Sequence, residues 1–292
     1  MRFVRAVVII LFIVSMGIFG TSEIISLGNK DNTIPKITSD REVLEISCEY
    51  TQEQLLEGMQ AEDEKDGDLT GQIIAGSFSR FIEKGVSNLT YVVFDSANNP
   101  ASLTRKVKFT DYQSPRFTLS EPLIFIIDQG SYSDAIQRIG ARDVLDGNLK
   151  EWITQTDTNV SYQKAGNYTM TVEVSNSFGD TVQAALPVHV VEPEALQLSI
   201  QLSQTIVYIK QGEAVNPQEY VTELVNTAGD VLDVGLVSAE SSVDSQTPGC
   251  YEIHYQATDA EGRRTHGLFH LHLFPGGERT DHRDVSFGSF GI

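Results

Sequence analysis

The chain has 292 residues, with 40 acidic and 21 basic side chains and a formal net charge of −19. This balance argues against nucleic acid binding, which requires a basic footprint, and it suits an exposed extracytoplasmic surface. The length predicts two or three domains, and an apolar content of 40% argues against wholesale disorder.

The N-terminal segment, residues 1–26, carries a targeting signal. Arg2 and Arg5 precede a nearly unbroken apolar run from Ala6 to Phe19. A basic flank before such a run is typical of a secretory signal peptide or signal anchor. The pattern of small residues for cleavage is weak, which favours an uncleaved hydrophobic helix, although cleavage stays open. In both cases the rest of the chain is predicted to be exported, either membrane-anchored or secreted.

Three short helices are predicted at intervals of roughly 80 residues, over residues 50–59, 131–140 and 216–225. Each begins at a side chain that can cap a helix N-terminus: Thr51, Ser133 and Asn216. Gly58 and Gly140 fit left-handed caps at the C-terminal ends of the first two.

An acidic stretch follows each of the first two helices. "AEDEKDGDLT" at residues 61–70 matches "ARDVLDGNLK" at residues 141–150 at five positions: one alanine, two aspartates, one glycine and one leucine. The third copy has lost the Asp-Gly pair and retains only Gly229-Asp230. The recurrence predicts a repeated structural unit.

A second landmark recurs three times, on Gly85, Gly166 and Gly249. After each glycine the chain alternates between apolar and polar residues, as in "YEIHYQAT" at 251–258. Such alternation predicts half-buried antiparallel strands, and the following Asn-Ser-Phe-Gly and Asp-Ala-Glu-Gly sequences predict hairpin turns.

The repeats predict an all-β fold of three tandem Ig-like β-sandwich domains of about seven strands, each with one short helical turn, after an N-terminal hydrophobic helix. The predicted domains cover residues 33–111, 114–192 and 195–274. Residues 275–292 lack periodicity and are predicted to be a disordered tail.

The stretches "DNTIPKIT", "LLEGMQAEDEKDGDLTGQI" and "TPGCYEIHYQATDAEGR" resemble the repeated bacterial Ig-like domain of Gram-positive surface proteins, a type first noted in an insecticidal crystal protein. The resemblance covers residues 33–274, and Ser87 departs from the Gly-x-Tyr pattern that starts the strand in the other copies. It implies an Ig-like sandwich displayed at a cell surface, with no enzymatic activity.

The acidic stretch also suggests a calcium site. Its spacing fails the EF-hand pattern, because the third and fifth positions counted from Asp63 are Lys65 and Gly67. A calcium site of a different geometry, at one end of the sandwich, remains an alternative, and its ligands would be Asp63, Asp66, Asp68 and Asp95. The alternative is a turn in which Asp63 bonds nearby backbone amides, and the loss of charge in the later copies favours it.

Four histidines share one face of the last predicted hairpin: His254, His266, His270 and His272. A surface site for a transition metal is therefore geometrically possible, although most histidines on a solvent-exposed sheet face bind nothing. The two cysteines, Cys48 and Cys250, are interpreted as buried thiols, with a long-range disulfide as the alternative.

No nucleophile elbow, zinc-protease helix or phosphate loop occurs in the sequence. The predicted function is therefore that of a non-catalytic extracytoplasmic surface protein, a structural spacer or adhesion module without a cofactor. Its predicted partners are a surface protein or polysaccharide, and the membrane through the N-terminal segment. The alternative is a ligand-binding module for carbohydrate or calcium.

Overall fold

The computed structural model describes residues 12–16, 32–241 and 243–274. The chain divides into two compact units, residues 1–110 and 111–292. The predicted tail lies outside the described residues, as does the N-terminal segment apart from the helical stretch 12–16. None of the described helices has the length and apolar character needed to cross a membrane.

The first unit is a sandwich of two sheets, with strand orders β1-β3-β4 and β2-β7-β6-β5. Its seven described strands are β1 (Lys36–Ser39), β2 (Val43–Ile46), β3 (Met59–Asp63), β4 (Gly67–Asp68), β5 (Ile74–Phe78), β6 (Val86–Phe94) and β7 (Pro100–Phe109). Between β2 and β3 lies helix α1 (Gln52–Leu55), and a 3-10 helix covers Thr70–Gln72.

The second unit begins with a sandwich of the same topology, with strand orders β8-β10-β11 and β9-β14-β13-β12. Its described strands are β8 (Arg116–Leu119), β9 (Ile124–Ile126), β10 (Ile139–Asp143), β11 (Gly147–Asn148), β12 (Thr154–Thr158), β13 (Gly166–Ser175) and β14 (Thr181–Val191). Helix α2 (Tyr132–Arg138) precedes β10, and two 3-10 helices cover Lys150–Trp152 and Pro193–Ala195.

A third sandwich completes this unit, with strand orders β15-β17-β18 and β16-β21-β20-β19. Its described strands are β15 (Leu198–Leu202), β16 (Ile206–Lys210), β17 (Val221–Asn226), β18 (Val231–Leu232), β19 (Val237–Ser241), β20 (Gly249–Thr258) and β21 (Arg264–Phe274). Two 3-10 helices cover Pro217–Tyr220 and Val234–Leu236. The threefold recurrence of one topology confirms the predicted all-β fold, whereas the predicted ends of the individual domains stay predictions.

One strand pair in each sandwich differs from the predicted antiparallel pattern. β2 runs parallel to β7, β9 to β14 and β16 to β21. The second strand of each repeat crosses from one sheet to the other and pairs beside the last strand. Local alternation cannot reveal this partner, because the paired strands lie about 60 residues apart in the sequence.

Three of the predicted helix-end residues are confirmed: the Thr51 side chain caps α1, the Asn216 side chain caps the 3-10 turn Pro217–Tyr220, and Gly58 has a left-handed φ of 73°. The others are corrected. The cap of α2 is Ser131 and not Ser133. Gly140 is not a left-handed cap, because it lies within β10 and does not have a positive φ. The third predicted helix is a single 3-10 turn, since the β-branched Val221 opens a strand.

The third sandwich has its own buried core, which includes Leu224, Ile253 and Tyr255, but it also contributes a residue to the core of the second sandwich. Ile206 on β16 belongs to the core of the second sandwich, together with Phe117 and Leu119. Two hydroxyls of the third sandwich donate to backbone carbonyls of β8: Thr205 Oγ1 to Leu119, and Tyr208 Oη to Phe117 at 3.0 Å. These contacts fix the two sandwiches as one compact unit.

The first sandwich contains a buried cation, Arg105, whose guanidinium donates to carbonyl and hydroxyl oxygens. Arg105 on β7 is 2% exposed, and its guanidinium donates to the carbonyls of Leu55 and Glu57, each at 2.8 Å, and to Tyr91 Oη at 2.7 Å. The register position of Arg105 is occupied by the buried Leu186 in the second sandwich. Arg105 therefore joins the end of α1 to the sheet by satisfying carbonyls that a leucine could not.

We expect Arg105→Met to lower the free energy of unfolding of the first unit by about 1–3 kcal/mol, because the substitution keeps the volume but leaves buried carbonyls unsatisfied. Urea unfolding followed by circular dichroism measures the change. The matched control is Arg41→Met, since Arg41 forms only exposed ion pairs with Asp40 and Glu57. An Arg105→Met protein as stable as the control would contradict this role.

Candidate functional site

The acidic turn of the first sandwich, residues 63–67, is organised by the Asp63 carboxylate. Asp63 is 7% exposed, and its Oδ1 accepts hydrogen bonds from the backbone amides of Lys65 at 2.8 Å and Asp66 at 3.1 Å. Gly67 completes the turn with φ 71°. Asp143 holds the same two amides in the second sandwich, at 2.7 and 3.0 Å. The carboxylate therefore caps its own turn, as the alternative to the calcium site predicted.

The second aspartate of the motif ties this turn to the β6–β7 hairpin. Asp66 accepts from the Ser96 amide at 2.7 Å and from Ser96 Oγ at 2.9 Å. Asp146 makes the same pair of bonds with Ser177, at 2.7 and 2.8 Å. The aspartate of the repeated Asp-Gly motif thus links two neighbouring loops by two hydrogen bonds to one serine. Neither serine was identified from the sequence.

The β6–β7 hairpin and its counterpart in the second sandwich are each closed by one aspartate and one asparagine. The order of the two residues along the chain is reversed between the sandwiches. In the first, Asp95 accepts from the Asn99 amide at 2.7 Å and from Asn99 Nδ2 at 2.7 Å. In the second, Asn176 accepts from the Asp180 amide at 2.9 Å. Since either side-chain oxygen performs the task, the turn requires an acceptor and not a negative charge.

In the second sandwich this network extends to Tyr112, whose hydroxyl donates to Asp180 Oδ2 at 2.6 Å. Burial raises the pKa of the Tyr112 phenol, and the hydrogen bond to Asp180 raises it further, so the phenol stays a neutral donor. Asn176 Nδ2 donates both to Tyr112 Oη, at 2.8 Å, and to Asp143 Oδ2, at 3.1 Å. The carboxylates of Asp143 and Asp180 thus accept hydrogen bonds from neutral side chains at this end of the second sandwich.

Asp259 is the corresponding residue of the third sandwich, and a cation neutralises it. Its Oδ1 accepts from the Arg263 amide at 2.8 Å, and its Oδ2 accepts from Arg263 Nε at 2.5 Å. Burial acts to raise the pKa of Asp259, but the bonds from Arg263 outweigh burial and lower it. An oxygen acceptor is thus kept at this hairpin position, although its partner in the third sandwich is an arginine.

Asp68 makes a separate, local contact. It is exposed and accepts from the Thr70 amide at 2.9 Å, and the Thr70 side chain together with this amide lowers the pKa of its carboxyl. Asp63 and Asp95 are connected through Thr33, which donates to Asp63 at 3.4 Å and accepts from Asn99 at 3.0 Å. Within the described ranges no group of three or more His, Cys, Asp or Glu side chains is arranged to hold a metal ion. The calcium cluster stays a prediction.

We expect Asp66→Ala to lower the free energy of unfolding by about 1–3 kcal/mol through the loss of both bonds to Ser96, and Asp66→Asn to cost less because one acceptor oxygen remains. Thermal unfolding with and without calcium measures both effects, and the exposed neighbour Glu64→Ala is the control. If calcium raised the midpoint by several degrees and Asp66→Asn removed that rise, the carboxylates would be ligands and not turn caps.

Of the four predicted histidines, the structure describes only the side chain of His254, on the outward face of β20. The other three belong to β21, and their side chains lie outside the described residues. The backbone register places His266 opposite Gln256, His270 opposite Glu252 and His272 opposite Cys250. The predicted four-histidine cluster therefore stays a prediction.

A polar joint between the second and third sandwiches was missed by sequence reasoning. His189 on β14 is 8% exposed, and its ring nitrogens contact Asn167 Oδ1 at 2.8 Å and Glu252 Oε1 at 2.9 Å. Glu252 Oε2 also lies 3.7 Å from His254 Nε2. His254 was predicted as part of the histidine cluster, but no sequence signal marks His189, Asn167 and Glu252, because each fits ordinary strand alternation and they come from two repeats. The four residues are referred to below as the histidine joint.

Both cysteines are free, which excludes the disulfide alternative in this structure. Cys48 is buried as expected, whereas Cys250 is exposed as a residue, which corrects the prediction of two buried thiols. Desolvation of the Cys250 thiol raises its pKa to about 11, and the Glu252 carboxylate contributes to the rise. A thiol of this pKa is protonated at neutral pH and is a poor nucleophile.

Residues 202–267 match the family model described as a bacterial surface protein, Ig-like domain. The match confirms the resemblance that the repeated motifs indicate. The pesticidal crystal protein Cry22Aa of Bacillus thuringiensis is 24% identical over 214 residues. That similarity takes in 70% of this chain and 28% of Cry22Aa, so the chain spans less than a third of that relative.

Similar solved structures include CBM51-2 in complex with GlcNAc and INT domains from Clostridium perfringens ZmpB, 18% identical, with a TM-score of 0.22. The similarity covers 52% of this chain and 26% of that one. The protocadherin GammaB4 extracellular domain is 12% identical with a TM-score of 0.20, over 84% of this chain and 49% of that one.

Proposed function

We propose that this chain is a non-catalytic, extracytoplasmic surface protein that acts as a structural spacer and interaction module. The observation that carries the proposal is the match of residues 202–267 to a bacterial surface Ig-like domain, together with the threefold recurrence of one sandwich topology. The exported location is supported by the same match, and the basic and apolar N-terminal sequence is the feature that favours attachment to the membrane.

A spacer role is supported by the way the second and third sandwiches are fixed together. Ile206 packs into the neighbouring core, and Tyr208 donates to the Phe117 carbonyl while the Arg116 guanidinium lies 5.1 Å from the Tyr208 ring centroid. An interface with apolar packing and direct hydrogen bonds resists bending better than a flexible linker. Mechanical continuity over these two sandwiches is the physical basis of the proposal.

An interaction role is supported by an apolar patch on the outward face of the first sandwich. The patch, called the outer patch below, consists of neighbouring register positions on β5, β6 and β7: Ile74, Val92, Phe94 and Pro100. Ile74 is 59% exposed and Phe94 is 44% exposed. Contiguous exposed apolar side chains of this kind mark binding surfaces more often than scattered ones do.

The same register positions in the second sandwich are polar: Thr154, Glu173, Ser175 and Thr181. The apolar residues of the outer patch are therefore not demanded by the shared fold, because the second copy folds without them. This contrast favours a partner that contacts the first sandwich. A surface protein is the partner class that apolar contact suits best, and polysaccharide is the other.

We expect purified protein to bind intact cells of the producing bacterium, and Ile74→Thr with Phe94→Ser to weaken that binding at least about tenfold while leaving thermal unfolding nearly unchanged. The substitutions introduce the residues of the second sandwich. Thr154→Ile with Ser175→Phe, in the second sandwich, is the reverse control. Protease treatment of intact cells expressing a tagged chain tests exposure, and an intact tag in unbroken cells would contradict the surface location.

Carbohydrate binding is the second candidate, and Trp152 is the observation that favours it. This side chain is 50% exposed at the end of a 3-10 helix, where a polar residue, Gln72, stands in the first sandwich. Aromatic faces that are open to solvent can stack on sugar rings.

Trp152 is the only tryptophan of the chain, so its fluorescence reports directly on a bound sugar. We expect wall polysaccharide to shift the emission if this candidate holds, and Trp152→Gln to abolish the accompanying polysaccharide retention in a sedimentation assay. Gln72→Trp is the matched variant at the equivalent position. Unchanged emission at saturating polysaccharide would exclude Trp152 as the contact.

A further inference from the structure

The β17–β18 hairpin of the third sandwich has an apolar pair where the other two sandwiches have the acidic turn. In those two, the strand pair beside the turn is Asp–Gly, at residues 63 and 67 and at residues 143 and 147. In the third it is Val225 opposite Val231. The serine that binds the turn in the other sandwiches is replaced by Ala260, and Asp230 accepts instead from Asn226 Nδ2 at 3.0 Å. This turn therefore lacks the aspartate–serine link between neighbouring loops.

Val225 and Val231 face away from the core of the third sandwich. Their strand neighbours Leu224 and Leu232 face inward, since Leu224 is fully buried and Leu232 packs against the core. Side chains directly opposite each other in an antiparallel pair have Cβ atoms about 4.5–5.5 Å apart. Val231 is 67% exposed and Val225 is half-buried, so the two valines form one outward apolar surface.

The 3-10 helix Val234–Leu236 adds two aliphatic side chains beside this pair. It packs against β17 and lies between Leu232 and Val237, which both contact the core, so its own side chains project outward. Val234 is 42% exposed and Leu236 is 44% exposed. The four outward residues, called the aliphatic patch below, are Val225, Val231, Val234 and Leu236.

The shared fold does not require aliphatic residues at this place. The corresponding 3-10 helix is Thr-Gly-Gln in the first sandwich and Lys-Glu-Trp in the second, whereas it is Val-Gly-Leu in the third. The strand pair beside the turn changes in the same way, from Asp–Gly to Val–Val. Neighbouring exposed aliphatic side chains of this kind mark contact surfaces more often than isolated ones do.

Carboxylates surround the aliphatic patch, and cations are missing from this part of the sequence. Glu223 lies two positions before Val225 and therefore on the same face of β17. Asp230 and Asp233 lie on either side of the β18 strand, and all three acidic residues are exposed. The sequence has no Lys or Arg between residues 210 and 263, although this stretch contains ten Asp and Glu residues. The surface is thus apolar at its centre and negative around it.

We propose that the aliphatic patch is a docking surface for a cationic, amphipathic segment of another polypeptide. The aliphatic side chains of such a segment cover the patch, and its Lys or Arg side chains pair with the surrounding carboxylates. Like charge disfavours acidic polysaccharides, anionic lipid headgroups and a second copy of this chain, whose net charge is −19. The contact is separate from the outer patch, which belongs to the first sandwich.

A fluorescent amphipathic peptide of about 14 Leu and Lys residues is the probe, and its anisotropy is measured with the full chain at physiological salt. We expect saturable binding that Val234→Lys with Leu236→Gln weakens at least about tenfold. These substitutions introduce residues that the second and first sandwiches carry at the same positions. The matched control is Val144→Lys with Tyr132→Gln, which removes two exposed apolar side chains from the second sandwich and changes the net charge equally.

A peptide of the same charge, with serine in place of every leucine, should bind at least about tenfold more weakly than the Leu/Lys peptide. Equal binding of the two peptides would reveal a general attraction of cations to an acidic chain and would overturn the proposal. So would binding that the patch variant leaves unchanged, or no binding at about 100 μM chain. Retention on phosphatidylglycerol vesicles that only the patch variant loses would assign the patch to a lipid surface instead.

Thermal unfolding of each variant separates loss of binding from loss of structure. If the double variant fails to fold, Val231→Lys decides the outcome, because the Val231 side chain is 67% exposed and its replacement places a like charge against the cationic peptide. The result is independent of the outer patch, since binding to intact cells is tested by substitutions in the first sandwich.

Discussion

The fold depends on the burial of one face of the central hairpin in each repeat. In the first sandwich Leu89, Tyr91 and Val93 alternate inward along β6 and are fully buried. The same spacing buries Met170 and Val172 on β13. Because strand side chains alternate in direction, this inward row also fixes which residues face solvent. The register of the loops, the outer patch and the histidine joint all follow from it.

The acidic loops show how one backbone requirement is met by different chemistry. A side-chain oxygen must accept the amides of the hairpin, and Asp95, Asn176 and Asp259 all provide one. The side chain at this position also differs in charge: the Asp95 carboxylate accepts from the Asn99 side-chain amide, Asn176 is neutral, and the Asp259 carboxylate is paired with Arg263. The loop geometry therefore persists although the motif changes, which explains why an acidic sequence motif alone is weak evidence for a metal site.

Contacts between the second and third sandwiches show that the repeats are similar in fold but not equivalent in their surroundings. Sequence similarity presents three equivalent units, yet Ile206 packs in the core of the preceding sandwich and His189 contacts Glu252 of the following one. The first sandwich instead places Arg105 where the second has Leu186, and it carries the outer patch. Equivalent folds thus differ in their surfaces and internal charges, which gives each repeat its own potential role.

The sequence by itself determined the three repeats, the seven-stranded sandwich, the hairpin turns at Gly179 and Gly262 and the capping turn at Asp63, because each depends on local periodicity or on residues a few positions apart. Only the tertiary structure decided the parallel β2–β7 pairing, the Asp66–Ser96 link and the histidine joint. These contacts join residues about 30 to 65 positions apart. Their geometry is set by how whole sheets pack, and no local pattern encodes it.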